Sequence, residues 1–126
     1  MYHGIFSALS TKNIIFVYTT DKEYIDVFSH SKRIFPTNKP EKADIALITD
    51  KGALKSIVYR LKEKRNGSKK PILFVTDYHF LKMSNDIVGA FYWRKGRSQL
   101  LFIKKRLKEH NIRLPEAYQK YMIDEL

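Results

Sequence analysis

Apolar positions along this chain come in short blocks, and the spacing within each block tells strand from helix. Asn13 to Tyr18 (NIIFVY) is a β-branched and aromatic run with apolar residues on both faces, as a strand buried within a sheet requires. Lys22 to Lys32 follows, with Tyr24, Ile25, Val27 and Phe28 gathered on one side of a helix. Arg33 to Pro36 reads as a short edge strand, where proline is tolerated, and Thr37 to Lys42 (TNKPEK) as a turn-rich connection.

The pattern is clearest next. Asp44 to Thr49 (DIALIT) is a strand, and Lys51 to Arg65 a helix whose Ala53, Leu54, Ile57, Val58 and Leu61 recur every three or four residues. Asn66 to Lys70 (NGSKK) ends it, with Gly67 at the left-handed terminating position, and Pro71 to Thr76 (PILFVT) is another fully apolar strand. Such a strand, helix, strand unit closes by a right-handed crossover, so the sheet core is parallel. Tyr78 to Met83 reads as about one helical turn. Ile87 to Trp93 and Ser98 to Ile103 flank a basic, Gly-containing turn (Arg94, Lys95, Gly96, Arg97) and predict a β-hairpin. Lys104 to Asn111 predicts a helix. Pro115 opens a last one through Asp124, with Ala117, Tyr118, Tyr121 and Met122 facing inward. The expectation is one α/β domain over residues 1–126: three-layer, Rossmann-like, mostly parallel, with a C-terminal antiparallel hairpin.

Composition adjusts this picture in three ways. The 126 residues, 44% hydrophobic with 8 Tyr, 8 Phe and 1 Trp, supply enough bulk for one core without staples. Zero cysteines remove disulfides, thiolate metal sites and cysteine nucleophiles while leaving the compartment open. The N-terminal apolar stretch, Tyr2 to Leu9, is broken by His3, Gly4 and Ser7 and lacks a basic flank, so it reads as neither export signal nor membrane span; export would need a leader outside this sequence. The net charge of +11 is lopsided, with 10 basic and 7 acidic residues up to position 63 against 14 and 6 beyond it. A field of that sign favours polyanions, anionic lipid or an acidic protein face, although a Lys-rich balance also arises from ordinary solvated surface.

Three predicted strands end in the same dipeptide: Thr20-Asp21, Thr49-Asp50 and Thr76-Asp77. The carboxyl edge of a parallel sheet is where ligands bind, and three carboxylates there could hold a hard cation or an amine. An Asp just before a helix is also a favoured N-cap, and both readings stand at this point. A phosphoacceptor receiver is disfavoured, because Thr19-Thr20 occupies the place of its acidic pair. The second candidate is a basic patch, Arg94, Lys95 and Arg97 beside Tyr92 and Trp93, extended by Lys104, Lys105, Arg106 and Lys108. Cations interleaved with aromatic rings suit phosphates and stacked bases, whereas the plainer reading is a solvated hairpin tip. His3, His30, His79 and His110 show no zinc spacing, and no phosphate loop, nucleophile elbow or catalytic Ser-Lys pair is present, so no metal, cofactor or enzymatic activity is indicated.

The order ADIALITD, PILFVTD, DIVGAFYWRKGRSQLLFI, a helix and then IRLPEAYQKYM, over residues 44–122, resembles the periplasmic YfiR-type family. The resemblance rests on Thr76-Asp77, Gly89, Gly96-Arg97, Phe102, and Leu114 with Tyr118 and Tyr121. It implies a non-catalytic periplasmic regulator that binds the periplasmic part of an inner-membrane diguanylate cyclase and holds its activity down. Two expectations follow. One is a regulatory module acting through a membrane signalling protein or a small ligand at the strand ends. The alternative is a cytoplasmic nucleic-acid-associated protein using the basic hairpin and helix.

Overall fold

The computed structural model describes residues 2–63 and 71–124, and the predicted NGSKK turn lies outside them. Helix α1 (Tyr2–Leu9) precedes β1 (Ile15–Tyr18), α2 (Lys22–Ser29), β2 (Ile34–Thr37), β3 (Ile45–Ile48), α3 (Lys51–Glu63) and β4 (Ile72–Val75). The hairpin β5 (Ile87–Arg94) and β6 (Arg97–Ile103) follows, then α4 (Lys104–Glu109), the single turn α5 (Glu116–Gln119) and β7 (Met122–Ile123). The strands form one sheet in the order β2-β1-β3-β4-β5-β6-β7, and every neighbouring pair is parallel except β5 with β6. The α/β architecture, mostly parallel with a hairpin near its C-terminal end, is therefore as the sequence predicts.

Both sheet faces carry a core, which accounts for the all-buried β3. On the first face, Phe6 of α1 and Phe28 of α2 pack with Ile15, Val17, Phe74 and Phe102, and Leu107 of α4 and Leu114 join them. On the second, Leu54, Ile57 and Leu61 of α3 cover Ala46, Ile48, Leu73 and Val75. Helix α1, read from sequence only as an apolar stretch, is thus a core element. Its Tyr2 hydroxyl meets that of Tyr24 at 3.4 Å, and burial, with the Tyr24 hydroxyl adding to it, holds the Tyr2 phenol well above its ordinary pKa. A raised tyrosine pKa stabilises the fold fully below about pH 10, where the unfolded phenol is still neutral. That contribution is lost as pH rises beyond it. Wild type should therefore lose stability relative to Tyr2→Phe above about pH 10 and keep a constant difference below it, read from thermal melts across pH.

Four expectations need correction. β1 alternates rather than burying both faces: Ile15 and Val17 are inside, while Phe16 is 44% exposed. In α2 only Phe28 is buried; Tyr24 is half-buried, and Ile25 and Val27 face outward because one helix stripe suffices to meet α1 and the sheet. The last helix is one turn long, since Met122 and Ile123 leave it to pair with β6, where Phe102 N donates to Tyr121 O. Tyr118, Tyr121 and Met122 do pack on the core, whereas Ala117 is exposed.

The β2 margin is built to stop. Arg33 O accepts from Ile15 N, so residues 33, 35 and 37 face β1 and residues 34 and 36 face outward. Outward Ile34 N donates to Ser31 Oγ, and outward Pro36 has no N–H. Beside this margin the second face lies open. From β2 to β3 the chain makes only a short 3₁₀ turn, Pro40–Lys42, and no β1 or β2 residue except Tyr18 joins the α3 cluster among the described residues. Phe16 and Phe35, 6.1 Å apart between ring centroids, are left bare with Ile14.

Candidate functional site

Strand order locates the first candidate. The chain leaves β1 toward β2 but leaves β3 toward β4, so their connections diverge between β1 and β3, the point where open α/β sheets form a crevice. Thr19, Thr20 and Asp21 border it on one side, Thr49 and Asp50 on the other; Thr76 and Asp77 stand one strand further along. The three dipeptides therefore do share one sheet edge. Their carboxylates, however, are turned to local work. Asp21 Oδ1 accepts from Glu23 N at 2.9 Å, Asp50 Oδ1 from Ala53 N at 2.7 Å and Asp77 Oδ1 from His79 N at 2.9 Å. Asp77 Oδ1 also lies 2.8 Å from His79 Nδ1. Because α2 and α3 pack on opposite faces, Asp21 and Asp50 are drawn apart by the helices they cap. Among the described residues no three His, Asp or Glu side chains come together to hold a metal ion. Thr19 is buried, with its Oγ1 accepting from Asp21 N at 3.3 Å; Thr20 is exposed, and Thr49 and Thr76 are half-buried. Replacing Asp50 by Ala should cost about 1 kcal/mol, the usual loss of an N-cap, measured by urea denaturation.

The second candidate is the hairpin. β5 pairs with β4 only as far as Ala90, yet its ladder with β6 continues to Arg94 opposite Arg97. At about 3.3 Å per residue, the four-residue overhang is an arm roughly 13 Å long beyond the carboxyl edge. It ends in a two-residue turn, Lys95 (φ 52) and Gly96 (φ 76), the mirror-image type that matches strand twist. On one side of the arm Tyr92 packs 5.1 Å from Tyr78, and the Arg94 guanidinium lies 5.2 Å over the Tyr78 ring. On the other, Trp93 is 71% exposed opposite Ser98.

The basic patch does not run on continuously from there. β6 carries the chain back across the sheet, roughly 20 Å at strand rise, before Lys104, Lys105 and Lys108 appear on α4. Arg106 leaves the patch altogether: its Nη1 donates to Leu81 O (2.6 Å), Ile87 O (3.0 Å) and Ser84 O (3.1 Å), pinning the 78–87 connection to α4. Burial lowers its pKa, with Glu109 and Asp86 acting the other way. Among the described residues no carboxylate forms an ion pair with Arg94, Lys95, Arg97, Lys104, Lys105 or Lys108. Nothing in sequence separates Arg106 from its neighbours, because its three acceptors come from a distant turn.

Compared with protein-family models, with curated proteins and with solved structures, the chain matches none. Among the described residues no helix is long and apolar enough to cross a membrane.

Proposed function

We propose that this chain is a non-catalytic regulatory domain that docks on a protein partner. Following its resemblance to the YfiR-type family, we take that partner to be the periplasmic part of a membrane diguanylate cyclase, whose activity it holds down. The observation that carries the docking is the bare sheet face, where Ile14, Phe16 and Phe35 stand 50%, 44% and 41% exposed beside a margin that offers no strand-pairing donor. Large apolar side chains gathered on an uncovered face mark interaction surfaces, and here a partner must lie over the face because it cannot add to the edge. The strand-end carboxylates are helix caps in this reading and contribute to stability.

The test joins location to activity. The protein expressed from its native gene should be recovered from the periplasm with a processed N-terminus, and deletion of the gene should raise cellular cyclic di-GMP. Wild type should restore the low level, and Phe16→Asp/Phe35→Asp, if folded by circular dichroism, should not. An unprocessed cytosolic protein, or full restoration by the double variant, would refute the reading.

A second reading rests on the arm: Trp93 exposed among Arg94, Lys95 and Arg97 suits stacking on bases and contact with phosphates, which makes a cytoplasmic nucleic-acid-associated protein. Oligonucleotide affinity should then fall steeply with salt as counterions are released, and Trp93 emission should quench on binding. A flat salt response would sink it.

A further inference from the structure

Helix α4 and the segment after it enclose a groove that neither reading uses. Asn111, at φ 57, ends the helix in the left-handed conformation, with Asn111 N donating to Lys108 O (3.0 Å) and Ile112 N to Leu107 O (2.9 Å). This reversal brings residues 112–114 back alongside the helix. The groove holds about 460 Å³, within the roughly 300–1,000 Å³ range of small-molecule sites. Its floor is apolar: Leu107 is buried, and Ile112 and Met122 are half-buried. Its rim is cationic, formed by Lys104, Lys108 and Arg113, and among the described residues no acidic side chain lines it. Lys104 and Lys108 are four residues apart and so rise on one side of the helix. At the helix end Lys108 O accepts from Asn111 N and Leu107 O from Ile112 N, which leaves the side-chain cations as the charged groups of the rim.

We propose that this groove binds a small amphipathic anion, a carboxylate with an alkyl or aryl tail, the tail on Ile112 and Met122 and the carboxylate between Lys104, Lys108 and Arg113. Three cations around an apolar floor complement that chemistry, and they oppose a cationic amphiphile of the same length.

The probe is monomeric decanoate, titrated into the full chain by calorimetry and by amide chemical shifts, with decyltrimethylammonium as the length-matched cation. Decanoate should bind at one saturable site, shift amides at Leu107, Ile112 and Met122, and outcompete the cation. Lys104→Glu/Lys108→Glu should weaken it about tenfold or more, while Lys39→Glu/Lys42→Glu, of equal charge change elsewhere, should not. Should the first variant fail to fold, Lys108→Gln/Arg113→Gln serves in its place with the same expectation. Equal affinity for both amphiphiles, shifts centred on Phe16 and Phe35, or loss of binding in the remote variant would overturn the assignment. Binding to phosphatidylglycerol vesicles without binding to monomeric decanoate would overturn it also, by making the surface a membrane contact.

Discussion

Arg106→Ala should lower the stability of the fold by about 3 kcal/mol, which for a chain of this length is a fall of roughly 10 °C in Tm. One guanidinium nitrogen satisfies the carbonyls of Leu81, Ser84 and Ile87 and ties the turn before β5 to α4. Hydrogen bonds to a charged group are worth about 1.5–3 kcal/mol, and the three here share one donor, so their contributions do not simply add. Truncation leaves partly buried carbonyls without their donor. Arg106→Lys should recover only part of the loss, since the lysine side chain is one bond shorter than the one that carries Nη1 to the three carbonyls. Urea denaturation and thermal melts read both variants, and a loss under 1 kcal/mol for Arg106→Ala would return Arg106 to the solvated surface.

Gly89→Ala should be comparably severe, at about 3 kcal/mol, for a different reason. A Cβ on Gly89 would stand 2.5 Å from Leu101 O, 3.0 Å from Phe102 Cδ1 and 3.1 Å from Phe74 Cε2. The rings could yield a little by rotating, but the carbonyl belongs to the paired strand and moves only if the ladder moves. Phe102→Leu in the Gly89→Ala background should therefore restore little stability. A midpoint shift of less than 0.5 kcal/mol equivalent would mean that the β5–β6 pair slides more freely than close packing allows.

How much of this was legible in the sequence depended on where the determining contacts lie. The β3-α3-β4 unit was readable because Leu54, Ile57 and Leu61 declare a helix stripe within thirteen residues and the flanking runs are apolar throughout. The hairpin was readable because two aromatic and aliphatic runs flank a short turn that contains Gly96, which takes φ 76 there, whereas the positive φ of Lys95 had no signal in the sequence. The exposure of Phe16, Ile25 and Val27 was not, since an apolar residue looks the same whether or not another layer covers it. Tyr121 to Ile123 carried a helical pattern, and only the unpaired side of β6 turned it into a strand. At the strand ends, sequence placed Asp21, Asp50 and Asp77 on one edge and left open whether they cap or bind. All three caps are formed within three residues of the aspartate, which is why the capping signal is local enough to be read from sequence. The patch did not run on as proximity in sequence suggested, because the seven residues of β6 lie between the arm's turn and α4.

The β2 margin has a further consequence for the protein at high concentration. A parallel sheet with an open border can recruit a strand from a second molecule and, through it, a third, which is the first step toward a fibril. Here the two outward positions have nothing to give: one amide is already held by Ser31 and the other position is proline. The chain thus keeps an adhesive apolar face next to a border that cannot template growth. Association through that face should yield small closed assemblies rather than filaments.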